Sequence, residues 1–312
     1  MLVGETVIYK WKYNRKTAYS LCADDSSSFH LEYMIPEMKK YNFVGTFWVN
    51  PGCETWKSRI DEWLDAVAYG NDLANHTMHH RGAKTYEEAE YEISAAASII
   101  REAAPNHTLL LFQRGGATVW DISEMAIAEI LAKNVCIDSR GKGLEQPGTY
   151  DSPYYRDGDK TYSVSVETSA SYPDLALTEN RWHMCKLHHV GPGATNLPMT
   201  LEAFVALLQA MDKRRHLIWV DTHTNIHKYV VERDAAELLI KKTTDEYIII
   251  GLTTGLNIWM YNYPLMLETK VPSSWKKCTI NHNNSIQLID VKNNIVIYEA
   301  LPDRGDIVIK PV

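Results

Sequence analysis

The stretch TAYSLCADDSS, residues 17–27, decides the fold. Its first seven residues are mostly small or apolar and lack a helical period, which reads as a strand buried on both faces, the pattern of a parallel sheet. The strand closes on two adjacent carboxylates, Asp24 and Asp25, and then on serines that read as a turn. Working outward, runs of the same kind recur: VGTFWVN (44–50), HTLLLFQ (107–113), VCIDS (135–139), WHMCKLH (182–188), HLIWV (216–220) and YIIIGLT (247–253).

Helical patterns separate them. LEYMIPEMKKYN (31–42), ETWKSRIDEWLDAVAYG (54–70), TYEEAEYEISAAASIIREAA (85–104), DISEMAIAEILAKN (121–134), LEAFVALLQAMDKRR (201–215) and IHKYVVERDAAELLIKK (226–242) are predicted helices. Gly70 suits a helix C-terminus, and Thr85 with Glu88 forms a capping-box signature. Alternating strands and helices mean parallel strands with helical crossovers, hence an α/β barrel or a doubly wound sheet, and the number of units favours the barrel. Residues 140–181 interrupt the pattern with a Gly-, Pro-, Tyr- and Asp-rich stretch, read as a long loop able to roof a cleft. From about residue 262 short strands alternate with Pro, Asn-Asn and Asp-Arg-Gly turns. The expected organisation is therefore a barrel over 1–255 and a small antiparallel β extension over 256–312.

The chain has 312 residues, 45% hydrophobic and 23% charged, with a formal net charge of −7. That composition supplies a core and argues against a phosphate-backbone binder. The short basic clusters Lys213-Arg214-Arg215 and Lys241-Lys242 sit near predicted helix ends, where cations suit the dipole. No apolar run approaches the ~18 residues of a membrane span. MLVGETVIYKWKYNRK carries no apolar segment of the kind a signal peptide needs, so none is expected. The cysteines, Cys22, Cys53, Cys136, Cys185 and Cys278, show neither a disulfide framework nor metal-binding spacing and read as mostly buried thiols.

The chemistry concentrates in DLANHTMHH (72–80). His76 and His80, four apart, can reach one ion on one side of a turn, whereas the His79 side chain should diverge. The spacing lacks the glutamate of a zinc-protease helix. The complementary carboxylates lie at the end of the first strand. Asp24 and Asp25 fall where α/β barrels carry catalytic groups, and neighbours on an extended backbone point opposite ways, so one can bind metal while the other faces substrate.

Asp24-Asp25 followed by His76-Thr77-Met78-His79-His80 resembles the polysaccharide deacetylases of carbohydrate esterase family 4, the NodB-homology fold, whose motifs read T-F-D-D-G and H-[ST]-x-x-H. GTFWVN is similar to the family's A-T-F-F-V strand, and the resemblance runs from about residue 10 to 240. It implies a distorted (β/α) barrel of the NodB-homology type. Asp25, His76 and His80 would be the metal ligands, Asp24 the general base, and Arg114, from the R-P-P-[YF]-G motif, the residue that holds the base. That motif is altered here to Arg114-Gly115-Gly116-Ala117. The late L-x-H motif implies a general acid, for which MCKLHHVGPG offers His188, with His189 and His223 as alternatives. For the fourth motif Asp138 or Trp182 can stand in. Ser26 replaces a glycine, and Cys22-Ala23 replace Thr-Phe.

The function this implies is hydrolytic removal of acetyl groups, amide- or ester-linked, from an acetylated oligo- or polysaccharide. It would use one divalent ion, zinc first and cobalt, manganese or nickel also compatible, to activate water. Neither nucleic acid nor a membrane span is implied, and members of the family are often secreted or held at the cell envelope. Tyr154 and Trp182 are candidate substrate contacts. Tyr150, Tyr155 and Tyr162 could likewise stack on sugars or simply anchor the loop. Two rivals remain. The iron facial triad also uses two histidines and a carboxylate, but in another order and on all-β scaffolds. A carbohydrate-binding relative with a degraded site would explain the altered Arg114 motif. Trp48, Trp56, Trp63 and Trp120 read as core or cleft lining, and His107, His216 and His282 receive no role.

Overall fold

The computed structural model describes residues 2–116, 118–138 and 161–312, and the backbone alone of 155–159. The chain divides into two compact units, Lys16–Ile226 and Met1–Arg15 together with His227–Val312.

After β1 (Thr6–Ile8) the chain enters the larger unit with β2 (Thr17–Asp24), a π-type turn at His30–Met34 and α1 (Ile35–Lys40). There follow β3 (Gly45–Val49), α2 (Glu54–Ser58), α3 (Ile60–Tyr69), β4 (Asp72–Asn75), α4 (Tyr86–Ala103), β5 (Leu110–Phe112), α5 (Glu124–Lys133) and β6 (Cys136–Asp138). The unit continues through β7 (Tyr155–Asp159), α6 (Val166–Glu179), β8 (Trp182–Leu187), α7 (Leu201–Lys213) and β9 (Ile218–Val220). α8 (His223–Ala235) spans the boundary in sequence. The strands form one parallel sheet ordered β6-β5-β4-β3-β2-β8-β7, with β9 pairing to the start of β2. Among the described residues β6 and β7 are its open edges, so the architecture is a distorted (β/α) barrel.

Alternation along the strands explains why they read as continuous apolar runs. Cys22, Trp48, Ala74, Leu111 and Met184, one from each of five strands, pack together inside the barrel. Their neighbours Leu21, Phe47, Leu73, Leu110, Phe112 and Cys185 face the opposite way and pack with the helices. Both faces are dry, and period two sorts the side chains between them. Helix ends follow local chemistry. Gly70 closes α3 at φ +113°, and Thr85 Oγ1 accepts from Glu88 N at 3.3 Å.

In the second unit β10 (Glu237–Thr243), β11 (Ile248–Thr253), β12 (Leu265–Lys270), β13 (Lys277–His282), β14 (Ser285–Asp290), β15 (Ile295–Ala300) and β16 (Ile307–Pro311) join β1 in two antiparallel sheets. Their orders are β1-β12-β15 and β10-β11-β16-β13-β14.

Three expectations change. Residues 237–242, expected to continue a helix, form an edge strand that pairs with β11, and β11 itself belongs to the antiparallel sheet rather than the barrel. The unit boundary accordingly falls at 226/227 instead of 255/256, and pairing of β1 with β12 draws the N-terminus into the β unit. Within the expected long loop, Val166–Glu179 is a helix. Ser165 Oγ caps it from Thr168 N at 3.2 Å, Pro173 is accommodated inside, and Asn180 ends it in the left-handed region. Among the described residues no helix is long and apolar enough to cross a membrane. All five cysteines are free, and all but Cys53 are buried.

Candidate active site

The chemistry-bearing side chains leave the barrel at the C-terminal ends of its strands. Asp24 is the last residue of β2, and Asp25 turns out of the strand at φ +80°. His76 follows β4, Gln113 follows β5 and His188 follows β8. With His80, Gly116, Lys186, Asn196 and Leu197 they line one cavity of about 410 Å³.

Asp25 Oδ1 lies 3.3 Å from Nε2 of His76 and 3.3 Å from Nε2 of His80. This oxygen is buried and has no hydrogen-bond donor of its own. Ligand atoms on a tetrahedral zinc at ~2.1 Å stand about 3.4 Å apart, so Asp25 Oδ1 has that spacing from both imidazoles, and all three donors lie within 4.8 Å of one another. Among the described residues this trio is the group of His, Cys, Asp or Glu side chains able to share an ion. The tautomer fits too. His76 Nδ1 donates to the carbonyl of Gln113 at 2.9 Å, which leaves Nε2 with its lone pair toward Asp25. Burial alone would push the Asp25 carboxyl up, but its interactions with His76, His188 and His80 outweigh it and bring it to about 2. A divalent cation placed among these three groups would meet an ionised carboxylate.

The loops that carry the trio have strained backbone. Asp25, Ser26, Thr77 and His80 all have positive φ. Side-chain bonds hold them. Ser26 Oγ accepts from Asn50 N at 2.7 Å, and the Asn50 amide donates to the carbonyls of His76 and Thr77. Asn75 Oδ1 accepts from Thr77 N, and Thr77 Oγ1 from His80 N, at 2.9 and 3.0 Å. His79 diverges as expected. Its Nδ1 and backbone N both meet the buried carboxylate of Glu92 on α4, at 2.9 and 2.8 Å.

Asp24 is buried beside the trio. Its Oδ2 accepts from Gln113 Nε2 at 2.9 Å and lies 3.8 Å from Lys186 Nζ, whereas Oδ1 has no donor. A buried carboxylate with one oxygen anchored and the other bare can take a proton from water. His188 Nε2 stands 3.9 Å from Asp25 Oδ2 on the same cavity wall. Its backbone carbonyl is fixed by His30 Nε2 at 2.8 Å. Burial lowers the His188 pKa, and the charges of Asp24 and Asp25 oppose that shift.

Several expected residues stand elsewhere. Arg114 does not reach Asp24; its guanidinium forms a two-pronged ion pair with Glu124 and lies over Trp120. Trp182 opens β8, buried, with its indole N–H donating to Ser20 Oγ at 2.8 Å. It shares the inward face with His188 but lies six residues, roughly 20 Å, below it along the strand, so it is not a substrate contact. His223 is buried in the barrel interior against Ser20, Trp48 and Trp182. His189 points off the cavity, where its Nδ1 accepts from Thr195 N and Asn196 N at 3.4 and 3.2 Å. Of the three candidate acids only His188 lines the cavity. Asp138 ends β6 and is not part of the lining. Tyr150 and Tyr154 lie outside the described residues, as does the side chain of Tyr155. Sequence reasoning overlooked Gln113, Lys186, Asn196 and Glu92.

Residues 12–126 match the polysaccharide deacetylase family. A gellan lyase from a Bacillus species is 22% identical over 345 aligned positions that take in 99% of this chain, and the chain spans about 13% of that protein's length. Among solved structures, a peptidoglycan deacetylase from Bacillus subtilis is similar at 13% identity and a TM-score of 0.44, covering 71% of this chain and 95% of that one. A family 4 acetyl xylan esterase from Clostridium thermocellum, solved with a cobalt ion, is similar at 16% identity and a TM-score of 0.43, covering 67% and 90%. A family pseudoenzyme from Bacillus anthracis is similar at 12% identity and a TM-score of 0.44, covering 72% and 68%.

Proposed function

We propose that this chain, a polysaccharide deacetylase by its match over residues 12–126, is a catalytically competent, metal-dependent carbohydrate deacetylase. The observation that carries the reading is the gathering of an ion-ready trio, a bare buried carboxylate oxygen and a histidine on one cavity. Asp25, His76 and His80 would hold the ion, zinc first and cobalt, manganese or nickel as alternatives. When bound, such an ion supplies Lewis acidity, lowering the pKa of water and polarising the acetyl carbonyl.

The remaining steps belong to the chain. Asp24 Oδ1 takes the proton of the attacking water while its Oδ2 stays tied to Gln113. The new C–O bond makes a tetrahedral carbon, and protonated His188 gives its Nε2 proton to the departing amine or alkoxide as that bond breaks. Acetate and the free sugar group are the products. The substrate is an acetylated oligo- or polysaccharide.

One observation favours a second reading, a sugar-binding relative without turnover: Arg114 has left the base. Acetate release decides between them. Chelated protein is assayed on N- and O-acetylated oligosaccharides, with zinc or cobalt added back. Release that returns with metal is the expected result, and the better substrate class separates amide from ester. Bound zinc without acetate from either class would favour the binding relative. Failure to bind zinc would overturn the metal site.

A further inference from the structure

We propose that Gln113, not Arg114, is the positioning residue of the base, and that it ties the base and the metal ligand His76 into one rigid unit. The inference rests on the reading of Asp24 as the base. Gln113 is buried at the end of β5 and held at three points. Its backbone N donates to Asn75 O at 3.0 Å, its carbonyl accepts from His76 Nδ1 at 2.9 Å, and its side-chain Nε2 donates to Asp24 Oδ2 at 2.9 Å. An ionised carboxylate only accepts, so the amide nitrogen must be the end that faces it.

Strand alternation explains the exchange of roles. Leu111 lies inside the barrel while Leu110 and Phe112 face the helices. Continued by one residue, the alternation sends Gln113 inward to Asp24, and by another sends Arg114 outward to Glu124. The positive charge that an arginine would bring is supplied from the other side by Lys186, on the inward face of β8, 3.8 Å from the same Oδ2. One oxygen of Asp24 is thus fixed between Gln113 and Lys186, and Oδ1 is left without a donor.

NMR of the full chain reads this geometry without any turnover. The Gln113 side-chain amide signal, assigned by its loss in Gln113→Leu, should move in Asp24→Asn and stay in place in Glu124→Gln. The Arg114 Nε–H signal should do the reverse. An Arg114 signal that follows Asp24, with a Gln113 amide that ignores it, overturns the assignment even if the protein releases no acetate. Absence of acetate from the wild type counts instead against the proposed activity. In zinc-loaded protein that turns over, Gln113→Leu should lower kcat by roughly ten- to hundredfold, with KM and zinc affinity within about twofold. Arg114→Leu should leave kcat within about twofold. Unchanged kcat in Gln113→Leu would also overturn the proposal.

Discussion

Gly115 lies so close to His80 that a β-carbon at position 115 would stand 2.7 Å from the imidazole Nε2, the atom directed at Asp25. A side chain at position 115 would therefore press on the ring where it sits. Gly115→Ala should push the ring off its position and weaken zinc binding by about tenfold or more. Gly116→Ala is the control, because nothing lies within 4 Å of its would-be β-carbon. Calorimetric zinc titration checks both. Equal affinities for the two variants would show that the ring yields freely.

Ser26 occupies the position where the family carries glycine, at φ +49°. Its compensation is the bond from Asn50 N to its Oγ at 2.7 Å, both residues being buried. Ser26→Ala keeps the strain and orphans that N–H, and should cost about 1–3 kcal/mol. Ser26→Gly loses the same bond but removes the strain, and should be the milder variant by about 1 kcal/mol. Urea unfolding of the two proteins measures the difference. If alanine proves the less harmful, the φ argument fails.

The parity of the strands shows how much of the site could be read from the sequence. Inward residues Cys22, Trp48, Ala74, Leu111 and Met184 each lie two places before Asp24, Asn50, His76, Gln113 and Lys186, and His188 comes two further on. Counting in twos therefore selects His188 over His189, as the L-x-H motif also did, and Gln113 over Arg114, which motif matching passed over. Other features had no such signature. The left-handed turn at Asp25 and Ser26 is tied by a long-range bond from Asn50 N to Ser26 Oγ, and the one at His80 by a local bond to Thr77 Oγ1. The run ELLIKKT is as good a helix as a strand until β11 supplies a partner, and α6 hides behind Pro173 and a run of poor helix formers.

Glu232 should make the β unit sensitive to pH. Burial pushes its carboxyl up to about 8, against the opposing hydrogen bond from Tyr263 N and the charge of Lys228. In the folded chain it holds its proton to higher pH than in the unfolded chain. Its contribution is therefore complete below about 4.5 and is lost as pH rises through about 8. The loss is on the order of 5 kcal/mol. Glu232→Gln still accepts from Tyr263 N and cannot ionise, so its Tm should match the wild type near pH 5 and exceed it above pH 8. Parallel pH profiles for the two proteins would rule out Glu232 as the source.

His188 and His189, adjacent in sequence, should separate cleanly in kinetics. His188 lines the cavity, so if it is the general acid proposed above, His188→Ala should lower kcat at least about hundredfold while zinc still binds. His189 works instead as a latch. Burial lowers its pKa, and its Nδ1 accepts from Thr195 N and Asn196 N while the ring stacks on Phe29 at 4.6 Å. The loop so held places Asn196 and Leu197 on the cavity wall, and Asn196 Nδ2 reaches Asp25 Oδ2 at 3.3 Å. His189→Ala frees that loop without touching the proton path, so KM should rise severalfold with kcat within about threefold. Steady-state kinetics of the two variants on one acetylated oligosaccharide reads the split. If His189→Ala instead removes turnover and His188→Ala does not, the acid assignment moves by one residue and the inward parity of β8 ceases to predict it.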